Sequence, residues 1–110
     1  MTDEPDPTAS KGYQLTDTAE VELEDVLGLV ADRDGVQRAL HVHGKFVEAF
    51  EPLAFQPGSG TTRPKLTGER VRWWPVLKWN VIYDPTSSPI SILRAIHGAR
   101  ELDRLFGQEE

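Results

Sequence analysis

The stretch RVRWWPVLKW, residues 70–79, decides the fold, because it joins strand-like spacing to all three tryptophans of the chain. In an extended strand, successive side chains point to opposite faces. Val71 and Trp73 therefore share one face, and Arg72 and Trp74 share the other. Since one face of such a strand has to be buried, at least one of the two neighbouring tryptophans is predicted to lie in the core.

Interleaved cations and aromatic rings are also typical of surfaces that bind single-stranded nucleic acid. Two interpretations stay open: sheet packing, which we favour, and a recognition surface with an exposed tryptophan as its anchor. The net charge of −6 argues against a general nucleic-acid binder. The charge is polarised, with −8 over residues 1–34 and +4 over residues 35–108. A basic patch near the quoted stretch could meet an acidic partner.

The length of 110 residues predicts one domain, which we place at residues 12–108. Residues 1–11 are acidic, contain two prolines and are predicted to be a disordered tail, unlike a signal peptide. The chain has no cysteine, which excludes disulfides and thiolate metal sites. No apolar run approaches the roughly 18 residues of a membrane span, so we expect a cytoplasmic protein without a membrane partner.

Two amphipathic patterns before the quoted stretch predict a pair of helices. Thr16 is a suitable N-cap, and Asp34-Gly35 is a suitable end for the first helix. Its apolar face comprises Ala19, Leu23, Val26, Leu27 and Val30. Pro52 is expected to kink or end the second helix. The apolar face of that helix comprises Ala39, Val42, Phe46, Ala49, Phe50 and Leu53. Because the connection is very short, the helices should form an antiparallel hairpin.

The remaining segments predict strands and turns. Residues 13–15 suit a short strand, and residues 56–68 have the composition of a loop. Three strand-like segments follow, at 70–76, 79–83 and 90–96, and their short connections imply antiparallel pairing. We therefore predict an α+β fold in two layers: a short N-terminal strand and a helical hairpin packed on a three- to four-stranded antiparallel sheet, with a short C-terminal helix.

The order and spacing of several motifs resemble the ParE branch of the RelE/ParE toxin superfamily. Residues 79–83 (WNVIY) match its aromatic-aliphatic strand, and residues 90–102 (ISILRAIHGAREL) match its I-L-R-x-x-H-G-x-R-D pattern. Residues 13–16 (YQLT) resemble its opening, and residues 72–76 its first long strand. The resemblance implies the toxin of a type II toxin–antitoxin module, with a role in plasmid stabilisation. It would be bound by a ParD-like antitoxin in a hetero-oligomer and would inhibit DNA gyrase.

Relatives on the RelE branch instead cut mRNA on the ribosome, using five catalytic positions. The resemblance places those positions on Val71, Trp73, Asn80, Arg100 and Phe106, of which Arg100 alone keeps the catalytic residue type. A shift of one residue would bring Arg72 or Lys78 into play. We therefore expect no catalytic residue, and we keep the ribonuclease and a non-toxic antitoxin-binding homologue as alternatives.

Candidate binding residues follow from this reading. We expect the antitoxin to cover the sheet and the grooves beside the hairpin, by helix burial and possible strand addition. The candidates are Leu27, Val30, Phe46, Phe50, Arg72, Trp74 and Arg94. Arg94 has two interpretations, an outward charge or a salt bridge to the antitoxin. The candidates for target contact are Arg100, Leu102, Arg104 and Phe106.

Metal or cofactor binding is not expected. His41 and His43 lie two residues apart on a predicted helix and point in different directions. His97 stands apart from them, and we expect it to form a hydrogen bond near a strand end. We also expect no direct sequence-specific contact between the toxin alone and nucleic acid.

Overall fold

A computed structural model of the protein describes residues 12–98, which form a five-stranded sheet and three α-helices. The sheet has the order β1-β5-β4-β3-β2. The strands are β1 Tyr13–Leu15, β2 Thr61–Arg63, β3 Gly68–Val76, β4 Trp79–Asp84 and β5 Ile90–His97. The helices are α1 Asp17–Asp34, α2 Val36–Phe55 and α3 Pro64–Thr67, with a 3-10 turn at Pro57–Ser59. The predicted α+β class is confirmed.

Helix α1 begins and ends where the sequence predicts, and α2 ends just beyond Pro52. The Thr16 side chain accepts a hydrogen bond of 3.1 Å from the Ala19 N–H and so caps α1. Gly35, at a φ of 95°, ends α1 and separates it from α2 by one residue. Helix α2 continues through Pro52 for three residues and ends at Phe55. The predicted hairpin is therefore present.

The sheet differs from the prediction in two respects. Strand β1 pairs parallel to β5, with Tyr13 opposite Ile90, so the sheet is mixed rather than purely antiparallel. Strand β2 adds a fifth strand inside the segment 56–68, which was predicted to be a loop. That strand is three polar or charged residues long and owes its place to pairing with β3 and to side chains far along the chain. Neither leaves a local pattern in the sequence.

The main core lies between the hairpin and one face of the sheet. The Phe46 ring of α2 is 5.9 Å from the Trp79 ring of β4 and 6.1 Å from the Phe50 ring. Fully buried side chains in this core include Val42, Phe46, Phe50, Leu53, Val81, Tyr83 and Ile92. Trp74 is half-buried against the same core.

The opposite face of the sheet carries a second, smaller cluster. Trp73 is 1% exposed and packs with Ile82 and Ile96, and Leu66 and Val71 cover them in part. The prediction that one of the neighbouring tryptophans is core is confirmed. The fully buried one, however, faces away from the hairpin.

Two predicted segments lie outside the described residues: the tail at 1–11 and the C-terminal helix. Among the helices within residues 12–98, none combines the length and apolarity needed to cross a membrane.

Candidate functional site: two grooves and a strap around the hairpin

The turn between β3 and β4 brings apolar and basic side chains to one end of the sheet. Leu77 adopts a positive φ of 55° there and is half exposed. Trp79 is buried beneath the hairpin, and the Lys78 Nζ lies 5.6 Å from the centroid of its ring. Because α1 and α2 pass on either side of this turn, a groove opens beside each helix.

The larger groove, of about 490 Å³, lies between α1 and the end of the sheet, and we call it the α1 groove. Its apolar part is formed by Leu29, which is 55% exposed, together with Val30 and Trp79. Its polar rim is formed by Asp25, Arg33, Asp34, Lys78 and His97. An apolar floor with a polar rim is the arrangement that accepts an amphipathic segment.

The wall of the α1 groove is fixed by an ion pair between Glu22 and Arg94. The Arg94 Nη2 lies 2.6 Å from Glu22 Oε2, and its Nε lies 2.9 Å from the same oxygen. The Ala95 N–H also donates to Glu22 Oε1, at 2.9 Å. Since β1 stops at Leu15, this carboxylate satisfies a backbone donor at the β5 edge that a longer strand would otherwise satisfy.

The smaller groove, of about 240 Å³, lies between α2 and the same turn, and we call it the α2 groove. Trp74 and Leu77 supply its large apolar side chains, and Ala49 contributes from α2. An exposed Lys45–Glu48 pair, at 3.5 Å, borders it. The two grooves therefore flank one turn and offer exposed apolar surface on both sides of the hairpin.

A third feature is the strap, residues 57–67, which runs from the end of α2 to β3. The Tyr83 hydroxyl donates to the Pro57 carbonyl at 2.6 Å and accepts from the Gly60 N–H at 2.9 Å. Arg72 donates to the Gly60 carbonyl at 2.8 Å. Burial raises the pKa of Tyr83 above its usual 10.0, although the Gly60 N–H and the Arg72 charge act in the opposite direction.

Comparison with known proteins now adds to this geometry. The family model of the ParE toxin of the type II toxin–antitoxin system, parDE, matches residues 13–102. The chain belongs to the ParE toxin family. A chain of the solved chromosomal ParDE TA system from P. aeruginosa has the same fold, with a TM-score of 0.67 and 22% identity. The match covers 78% of this chain and 94% of that one. A search of curated proteins finds no match.

Within this ParE family member, the predicted antitoxin-binding residues separate into groups. Val30 lines the α1 groove and Trp74 the α2 groove. Leu27 is half-buried against the core. Phe46 and Phe50 are 0% and 2% exposed, so they belong to the core and line neither groove.

The two arginines among the antitoxin-binding candidates both have internal partners. Arg94 is not an outward charge, because Glu22 on α1 holds it in a bidentate pair. Arg72 is half-buried and bonded to the strap carbonyl of Gly60. An antitoxin contact with either arginine would have to compete with these internal partners. The predicted target-contact residues Arg100, Leu102, Arg104 and Phe106 lie outside the described residues.

Of the five positions that correspond to ribonuclease residues, Arg100 and Phe106 lie outside the described residues, and two of the described ones are not polar. Trp73 is buried among apolar side chains, and Val71 is half-buried beside it. Lys78 lies in the turn that follows β3. The last residue of that strand, Val76, is four residues beyond Arg72, which corresponds to about 13 Å along the strand. Residues 12–98 also hold no group of three His, Asp or Glu side chains placed to bind a metal ion.

Sequence reasoning missed the strap and the Glu22 contact. The sequence predicted that Tyr83 ends a strand, but no local pattern indicates that its hydroxyl bonds to Pro57 and Gly60. Nothing near Glu22 in the sequence indicates that its partner is Arg94, which is 72 residues away.

Proposed function

We propose that this ParE family member is the toxin of a type II module and is neutralised by a cognate ParD-like antitoxin that occupies both grooves. We further propose that the free protein inhibits DNA gyrase by protein–protein contact. The main support for this antitoxin site is the exposed apolar surface on both sides of one turn. Leu29 contributes that surface in the α1 groove, and Leu77 contributes it in the α2 groove. The family membership supports the toxin assignment.

The α1 groove favours helix burial over strand addition. Beyond Leu15, the edge of β5 is occupied by the Thr16 hydroxyl, which donates to the Leu93 carbonyl, and by the Glu22 carboxylate. An added strand would have to displace both. An amphipathic helix needs no free sheet edge, because it contributes apolar side chains to the groove floor.

Affinity measurements with groove variants test this antitoxin site. We expect Leu29→Asp and Leu77→Asp to weaken binding of the purified antitoxin at least tenfold, since each puts a charge where an apolar side chain would be buried. Leu40→Asp is the matched control, because Leu40 is 61% exposed and lines neither groove. Equal affinities for all three variants in isothermal titration calorimetry would show that the grooves are not the binding site.

The proposal of protein contact without catalysis is tested separately. The ribonuclease alternative would require Arg72, Lys78 and Arg100 to act together on one phosphate, and the distance of about 13 Å along the strand from Arg72 to the turn before Lys78 argues against it. Primer extension on cellular mRNA after induction should therefore give no new 5′ ends within translated frames. A growth assay without the antitoxin tests the non-toxic alternative, because only an active toxin arrests growth.

A further inference from the structure

We infer that the strap and the neighbouring part of β3 form a second interaction surface, which binds an acidic protein face and lies apart from the hairpin grooves. Its four cations, which we call the basic surface, surround the β2 edge of the sheet and do not share one sheet face. Arg63 lies over the Trp73 ring on the face away from the hairpin, and Arg72 lies beside Tyr83 on the hairpin face. Lys65 belongs to α3, and Arg70 lies near the start of β3. We take this partner to be the target of the toxin, and that identification rests on the proposed function.

The first observation is the separation of charge across the fold. Helix α1 carries seven acids and one base, whereas residues 57–79 carry five bases and one acid. Helix α1 packs on β5 near one edge of the sheet, and the strap pairs with β3 at the other edge. A chain with a net charge of −6 thus presents a local basic region, which attracts a negatively charged partner to one side of the molecule.

The second observation is that the basic surface is little neutralised. Lys65 is exposed and forms no ion pair within residues 12–98. The Arg70 side chain is 74% exposed and meets the Asp84 carboxylate at 3.3 Å, a surface contact that contributes little. The two remaining arginines are held by uncharged groups: Arg63 lies 4.6 Å from the centroid of the Trp73 ring, and Arg72 bonds to a carbonyl.

The third observation is that the strap is held in place by polar contacts. Leu66 is its only large apolar residue, so burial of its own side chains cannot order it. It is held instead by the Tyr83 hydroxyl at Pro57 and Gly60, and by the Trp73 Nε1, which donates to the Thr67 hydroxyl at 2.8 Å. A segment ordered before binding loses less entropy when a partner docks.

The chemistry favours a protein partner over nucleic acid. Trp73 is buried and cannot stack on a base, which removes the aromatic platform that single-strand binding uses. The overall negative charge opposes a long phosphate backbone. Arginine forks match individual carboxylates, so an acidic patch on a protein fits this surface.

A growth assay with charge-reversal variants tests the inference. Lys65→Glu/Arg70→Glu should lower growth inhibition at least tenfold, measured as the inducer concentration that halves the growth rate, and should keep its antitoxin affinity within twofold. Arg38→Glu is the control, because Arg38 is exposed near the start of α2, away from the strap. This variant should keep both its toxicity and its antitoxin affinity. Thermal unfolding of the purified variants should show that each is folded.

The outcomes separate the surface from the proposed function. Wild-type toxicity in Lys65→Glu/Arg70→Glu would overturn the basic surface while leaving the toxin assignment intact. Growth arrest by the wild type without inhibition of purified gyrase would refute only the proposal that gyrase is the target. The toxicity of the variants would still test whether the basic surface binds the target. A non-toxic wild type would overturn both. Binding of a 20-nucleotide RNA that is lost in the double variant would also overturn the inference.

Discussion

Gly60 is packed tightly between the strap and the sheet, and Gly60→Ala is therefore a sensitive probe of that contact. An alanine Cβ at this position would lie 2.6 Å from the Tyr83 hydroxyl and 2.8 Å from the Trp73 carbonyl. The backbone φ of −72° suits alanine, so space alone determines the cost. Neither neighbour can move away easily, because Tyr83 is buried and the Trp73 carbonyl belongs to the backbone of β3.

The expected cost combines three effects. Overpacking of this kind costs about 1–3 kcal/mol. Weakening the hydrogen bond between the Gly60 N–H and Tyr83 adds about 1 kcal/mol. Replacing glycine by alanine also lowers the conformational entropy of the unfolded chain, which offsets about 0.4–1 kcal/mol of this cost. We therefore expect the free energy of unfolding to fall by about 2 kcal/mol, which is roughly a 30-fold change in the folding equilibrium.

Gly58→Ala is the matched control, since the same substitution two residues earlier meets nothing within 4 Å. We expect it to be neutral or to stabilise by up to about 1 kcal/mol. Equilibrium unfolding in urea, monitored by tryptophan fluorescence, gives both values. If the two variants differed by less than about 0.5 kcal/mol, the close packing of the strap on Tyr83 would be wrong.

Three further predictions concern polar contacts that are buried or half-buried. Tyr83→Phe should lower the free energy of unfolding by about 1–3 kcal/mol, because two strap groups lose their partner, whereas Thr86→Val on an exposed turn should cost less in urea unfolding. Stability should fall as pH rises above 10: burial raises the pKa of both Tyr83 and Tyr13 in the folded state, so the unfolded chain releases its protons first. The fall should be shallower in Tyr83→Phe, and an equal fall would contradict the assignment. Glu22→Ala should destabilise by about 2 kcal/mol and Glu22→Gln by less, since glutamine keeps an acceptor for the Ala95 N–H. Thermal unfolding showing no difference between these two would contradict the role of that acceptor.

The sequence was sufficient where periodicity and capping determine structure. Thr16, Gly35 and the helical spacing between them gave α1 with its observed bounds. The alternation around Trp73 and Trp74 predicted a strand with one buried ring. In each case the signal lies within a few residues of the element that it specifies.

The parts that the sequence did not reveal depend on contacts between distant residues. Strand β2 is stabilised by β3 and by Tyr83, which lies 23 residues beyond Gly60. The burial of Trp73 on the face away from the hairpin depends on Ile82, Ile96 and the strap. Local patterns cannot indicate which face a second cluster will cover, because both faces of this strand carry a tryptophan.

The groove surface and the basic surface occupy different parts of one small fold. Trp79 and Leu77 belong to the turn beneath the hairpin, whereas Lys65 and Arg70 lie on the strap side of the sheet. Variants on one surface should therefore leave the other unchanged. If the two proposals hold, this separation makes the proposed antitoxin binding and the proposed target binding independently measurable.

Supercoiling of relaxed plasmid by purified DNA gyrase provides the most direct measurement of the proposed activity. The free protein should inhibit supercoiling in proportion to its concentration, and an equimolar amount of the cognate antitoxin should restore it. Full supercoiling in the presence of excess free protein, together with cleavage of translated mRNA by the same preparation, would contradict a toxin that acts by protein contact alone.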